Sequence, residues 1–146
     1  MKEYFDLKIV KNAELMLRVT MSVTLLVAGI SKFFSHGGFY RYYVQEFAKE
    51  GLRISLPGFL FDGYLAMIPY LEVGIGLALI TTFKRRLFIV VWIIYFMTLE
   101  IGHYVLEQFQ AVNMMIPYIV MGTLAYVLPA HDFGFNKTAG VDLGNK

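Results

Sequence analysis

The sequence predicts an all-α fold, a polytopic membrane four-helix bundle. Three observations predict it. Hydrophobic residues make up 58% of the 146, and mean hydropathy is +0.58, whereas soluble domains are about 45–50% apolar. The apolar residues gather into four runs, each close to the roughly 20 residues that a helix needs to cross the hydrocarbon core. Charge collects mainly between the runs, most clearly at Lys84-Arg85-Arg86. Lipid offers no hydrogen bonds to unpaired backbone, so helices rather than open strands are expected. The length leaves room for one bundle, a single domain over residues 1–146.

The first helix is expected over about 13–34, around LMLRVTMSVTLLVAGISKFF. This run is too long for a secretory signal and lacks a small-residue cleavage pattern, so it should remain as a membrane helix. The second helix is expected over about 59–83, with Pro69 inside it. The third spans about 87–108, and the fourth about 112–128 with Pro117 near its start. Prolines inside membrane helices are tolerated where neighbours satisfy the freed backbone groups. Between the first two helices, YRYYVQEFAKEGL places Tyr40, Tyr43, Val44, Phe47, Ala48 and Leu52 on one helical face. That pattern predicts an amphipathic interfacial helix over about 40–52, serving as an anchor or as a lid. The tail, 130–146, reads as irregular.

Orientation follows from the basic residues. Lys2, Lys8 and Lys11 precede the first helix, Lys84 to Arg86 follow the second, and Lys137 and Lys146 lie in the tail. The loop between the third and fourth helices has no Lys or Arg. The positive-inside rule then puts both termini in the cytoplasm, N-in/C-in, in a cytoplasmic (inner) membrane. Arg41, Lys49 and Arg53 in the first loop count against it. A net charge of +2 gives no reason to expect nucleic acid as a partner. The absence of cysteine excludes thiol–disulfide chemistry, thiolate metal sites and cysteine nucleophiles.

Charges inside the runs carry the functional reading. Arg18, Ser22, Gly29 and Lys32 share a stripe of the first helix. Glu72 and Gly76 share a face of the second. Glu100, His103, Tyr104 and Glu107 form a stripe on the third. A charge at mid-bilayer costs about 2.5–3.5 kcal/mol even on the lenient insertion scale. The stripes should therefore turn inward, pairing Lys32 with Glu72 or Glu100, and Arg18 with Glu14 or a backbone carbonyl. Gly29 on the first helix, and Gly74, Gly76 and Ala78 on the second, should allow close helix approach. One internal polar cluster around Arg18, Lys32, Glu72, Glu100 and His103 is expected. Its members are either structural ion pairs or a ligand and proton site.

These residues also carry a resemblance. L-x-L-R ending at Arg18, G-I-S-K-F from Gly29 to Phe33, and L-E-V-G-I-G-L-A-L from Leu71 to Leu79 resemble the DoxX family of small four-helix membrane proteins. The likeness runs from about Leu15 to Pro129. It implies a bacterial or archaeal cytoplasmic-membrane subunit working beside quinone-linked respiratory or sulfur redox enzymes. Glu100-x-x-His103 is a departure from the minimal family pattern.

Several functions compete. A quinone site needs an apolar slot with a few polar groups. Glu100 and His103 would exchange protons there, with Lys32, Glu72 and Tyr104 binding the ligand, and Arg18 with Glu14 as a structural pair. Alternatively, His103 is a helix-end residue hydrogen-bonded to Glu107 or to the membrane–water interface. Glu-x-x-His is half of a di-iron motif, but only one copy exists, so no metal is expected. Haem would need His36 and His103 to approach each other. A non-catalytic scaffold or assembly partner, or a homo-oligomer, could use Tyr118, Gly122 and Tyr126 on the fourth helix as a docking face. Transport of a small solute or proton is the remaining alternative.

Overall fold

The structure is a computed structural model that describes residues 2–34, 41, 44–45, 57–81 and 84–131, the first four of them (2–5) as backbone only. Four helices account for nearly all of this: α1 (Lys2–Phe34), α2 (Gly58–Ile80), α3 (Arg85–Val105) and α4 (Phe109–Val127). The fold is all-α, with no strand among the described residues. Each helix is long and apolar enough to cross a membrane, which marks a multi-pass membrane protein. Large apolar side chains such as Val23, Val27 and Ile30 point outward, as lipid-facing residues can.

The helix bounds differ from the sequence reading by three residues or more in four places. α1 begins at Lys2 rather than near 13. No Gly or Pro interrupts the chain from 2 to 28, so nothing stops the helix where its hydropathy falls. At 33 residues it spans roughly 50 Å, against the roughly 30 Å of a hydrocarbon core. α2 ends at Ile80 rather than 83, where Thr81 donates its backbone N–H to Leu77 O (3.1 Å) and its hydroxyl to Ala78 O (3.1 Å). Such local bonds compete with helix continuation.

α3 ends at Val105 rather than 108, and α4 starts at Phe109 rather than 112. The junction is a Schellman cap. Gln108 N–H donates to His103 O (3.0 Å), and Glu107 N–H donates to Tyr104 O (3.1 Å). Glu107 takes the left-handed conformation, φ 56°, where Gly is usual. This turn folds α4 directly back along α3. The interfacial helix expected over 40–52 lies outside the described residues except for Arg41, Val44 and Gln45. Beyond His131 the tail also lies outside them.

α1 packs chiefly on α2 and α3 on α4, while α1–α4 and α2–α3 contacts close the bundle. Without a hydrophobic force between helices in lipid, close van der Waals fit holds them, and small residues permit it. A Cβ on Gly29 would lie 2.9 Å from Glu72 Cβ and 3.0 Å from Pro69 O. One on Gly76 would lie 2.9 Å from Leu26 Cγ. Ser22 hydroxyl donates to Gly76 O (2.5 Å) at that crossing. Gly74 is a correction: it is exposed, with nothing within 4 Å of a built Cβ.

On the other side, Gly122 receives the indole of Trp92, whose Cδ1 would lie 2.7 Å from an added Cβ. Trp92 is fully buried and donates Nε1–H to Tyr118 O (3.0 Å). Phe96 stacks on Tyr118 with centroids 4.7 Å apart. Tyr118 and Gly122 are thus engaged within the bundle, while Tyr126 is exposed.

Candidate functional site

The buried polar residues form two clusters, not one. Arg18 and Lys32 are 14 positions apart on α1, roughly 21 Å along the helix. They serve opposite ends of the bundle.

At the end carrying Lys84 to Arg86, Glu14 is the hub and is fully buried. Its Oε1 accepts Arg18 Nε–H (3.0 Å) and Arg85 Nε–H (2.7 Å), and its Oε2 accepts His131 N–H (3.0 Å). Arg18 also donates to Leu79 O (3.0 Å) in the last turn of α2. Arg85 donates to Ala125 O (2.5 Å) and Leu128 O (2.8 Å) at the end of α4. Helix C-termini leave carbonyls without intrahelical partners and carry partial negative charge. The two guanidiniums satisfy those carbonyls, and one carboxylate balances them. The Arg18–Glu14 pair is one of the two partners expected for Arg18; the carbonyl bond is the other, and both occur. These bonds join all four helices, so the arrangement acts as a clamp.

Toward the opposite end, Glu72 is the hub. It is 2% exposed, on the α1-facing side of α2. Its Oε1 pairs with Lys32 Nζ and accepts Tyr95 O–H (2.7 Å). Its Oε2 is buried with no hydrogen-bond partner among the described residues. Gly29 lets α1 approach the root of the Glu72 side chain, which brings Lys32 within reach. Tyr95 comes from α3, where Thr98 hydroxyl donates to Tyr95 O (2.7 Å) and shares a bond with Tyr64 hydroxyl (2.9 Å).

These groups border a cavity of about 240 Å3. Its wall is mainly apolar, including Leu25, Ile68, Phe96, Leu99 and Met115. Thr24, Lys32, Tyr64, Glu72 and His103 supply its polar points. His103 Nδ1 shares a hydrogen bond with Gln108 Oε1 (2.8 Å), where Glu107 was the partner expected from sequence.

The five residues expected in a single cluster are therefore divided. Lys32, Glu72 and His103 line one cavity. Arg18 belongs to the other end. Glu100 is half-buried and does not line the cavity. Tyr104 is exposed, edge-on to Phe109 at 5.9 Å. The physical reason is the helix period: Tyr95, Phe96 and Leu99 hold the inward face of α3, and Glu100 and Tyr104 fall off it. Sequence reading missed Tyr95, Tyr64, Thr98 and the inward role of Arg85. Tyr95 lies four positions from Leu99 and eight from His103 on the helix, the one signal that could have placed it on this face. Among the described residues, no three His, Asp or Glu side chains converge as a metal site would require; His36 lies outside them. Compared with known proteins, the chain matches no family model, no curated protein and no solved structure.

An apolar cavity with a few convergent polar groups is the usual form of a small-molecule site. A single aromatic ring fits an apolar cavity of about 150 Å3. The chamber here has space for one ring with small substituents. Its polar wall offers an ammonium donor, a carboxylate acceptor and an imidazole.

Proposed function

We propose that this chain is a DoxX-like subunit of the cytoplasmic membrane, and that its cavity holds the head of a quinone-type molecule serving respiratory or sulfur redox chemistry. The observation that carries the reading is the Glu72 hub set in the wall of an otherwise apolar, one-ring cavity. Lys32 is 22% exposed on its side chain and connects that hub toward the end of the bundle. His103 brings an imidazole to the same cavity wall, a ring that can donate or accept a hydrogen bond. Glu100 and Tyr104 lie outside the cavity lining and have no place in this version of the site. Lipid is the surrounding partner, and a redox enzyme or a second copy would complete the electron path.

The test is a redox difference spectrum, ultraviolet through visible, on detergent-purified protein, with solvent extraction of any bound ligand. A near-stoichiometric quinone or quinol, diminished in His103→Ala, supports the reading. A wild-type protein with no quinone, which also takes none up when offered it, would turn the assignment to a non-catalytic assembly partner.

We also propose the N-in/C-in orientation. The basic turn at Lys84 to Arg86 shares an end of the bundle with the N-terminal half of α1, and the turn at 106–108 lacks Lys and Arg. The chain has no cysteine, so Arg86→Cys and Glu107→Cys can be labelled singly in intact cells. An impermeant maleimide should reach the second and not the first; the opposite pattern reverses the topology.

A further inference from the structure

We infer that the cavity takes an aromatic ring that donates a hydroxyl, and discriminates against the same ring bearing only carbonyl oxygens. This rests on the quinone-type reading above and specifies the form of ligand that the site holds. The argument starts from the two oxygens of Glu72. Oε1 is occupied by Lys32 and Tyr95. Oε2 has no hydrogen-bond partner among the described residues. Leaving a buried charged acceptor unsatisfied is costly, and a hydrogen bond to a charged group is among the stronger ones.

The direction from which a donor can arrive is restricted. α1 covers the root of the side chain at Gly29, where a built Cβ would lie 2.9 Å from Glu72 Cβ. Lys32 and Tyr95 occupy the Oε1 side. The cavity wall includes Glu72, so in this proposal the donor arrives from the cavity and the carboxylate turns to present Oε2 to it. A phenolic O–H brings a donor to that oxygen. A ring carbonyl brings an acceptor to an acceptor, which gives no bond and adds repulsion. The Lys32 ammonium, the His103 imidazole and the Thr24 and Tyr64 hydroxyls can serve a ring oxygen of either form, so they add affinity without discrimination. Glu72 alone sets the preference. In quinone terms the site holds the reduced ring.

The expected preference follows from the range for a charge-assisted bond, about tenfold to a hundredfold. The measurement is titration calorimetry on the full chain in lipid nanodiscs. One ligand pair is tail-less dimethoxy-methyl-benzoquinone and its quinol, the latter kept reduced under argon. A second, redox-inert pair is para-methoxyphenol and para-dimethoxybenzene, which needs no variant and no reductant. Tighter binding of the hydroxyl member in both pairs is the expected result. Glu72→Gln, which offers an amide N–H, should abolish or invert the preference while still binding the quinone. Equal affinity within each pair in the wild type would overturn the inference and leave the quinone-type reading standing, with Oε2 served by water. Binding of neither member of either pair would overturn the quinone-type reading itself.

Discussion

The two ends of the bundle use the same ingredients, a buried carboxylate and long cations, to different effect. At the Glu14 end, both carboxylate oxygens are engaged and the guanidiniums reach the terminal carbonyls of two helices. At the Glu72 end, one oxygen is doubly engaged and the other is left over, beside a cavity. A carboxylate engaged at both oxygens suits a structural clamp, since a buried acceptor left unmatched destabilises a fold. Incomplete satisfaction is tolerated where a ligand supplies the missing bond. Under the proposed function, that difference separates fold-holding charge from ligand-facing charge within one small chain.

The comparison can be broken most forcefully at Glu14. Glu14→Ala should cost about 3–5 kcal/mol, because two guanidiniums lose their counter-charge inside the bundle. Denaturant titration in mixed micelles, followed by circular dichroism, reads this. A loss below about 1 kcal/mol would show that the carbonyl bonds alone hold that end.

At the other end, Tyr95→Phe removes one donor to Glu72 without changing shape. It should cost about 1.5–3 kcal/mol in the same titration. It should also weaken ring binding by calorimetry, since the carboxylate loses its positioning contact. An unchanged affinity would detach Tyr95 from the site.

Gly29→Ala sharpens the comparison by acting on the helix contact below Glu72. Two side-chain atoms and the Pro69 carbonyl lie within 3.0 Å of the added Cβ, so overpacking should cost about 1–3 kcal/mol. Gly74→Ala is its control: with open space around it, helix propensity should raise stability by up to about 1 kcal/mol. A similar response at both glycines would dismiss close packing as the reason for Gly29. The smallest effect is expected at Glu107→Gly, which relieves the left-handed cap and should stabilise α3–α4 by about 1 kcal/mol or less. No change in thermal midpoint would mean that the His103–Gln108 contact already compensates.

Much of the fold is legible in the sequence because membrane helices announce themselves by composition. Hydropathy marks where lipid ends, however, and not where a helix ends. That is why the start of α1 is missed by eleven residues, while its far end at Phe34 agrees. The pairs Arg18–Glu14 and Lys32–Glu72 are readable from helical spacing and depth. Their separation into two sites follows from the distance between positions 18 and 32 along one helix, and from the helix period that turns Glu100 off the inward face. Arg85 is hidden for a different reason. The positive-inside pattern treats Lys84, Arg85 and Arg86 as equivalent, yet one of them turns inward to Glu14 and two stay exposed. Tyr95 sits within an apolar run, where an aromatic ring gives no sign that its hydroxyl meets a carboxylate.

The register of α1 on α2 bears on how the chain is made. Residue 18 lies opposite 79, 22 opposite 76, and 32 reaches 72. Every one of these partners is translated before α3 begins. The first hairpin therefore carries its own counter-charges and can leave the insertion machinery as a matched unit. Among the described residues, Arg85 is the charged partner from the second half, joined by the neutral donors Tyr95 O–H and His131 N–H, and all three arrive at carboxylates already in position.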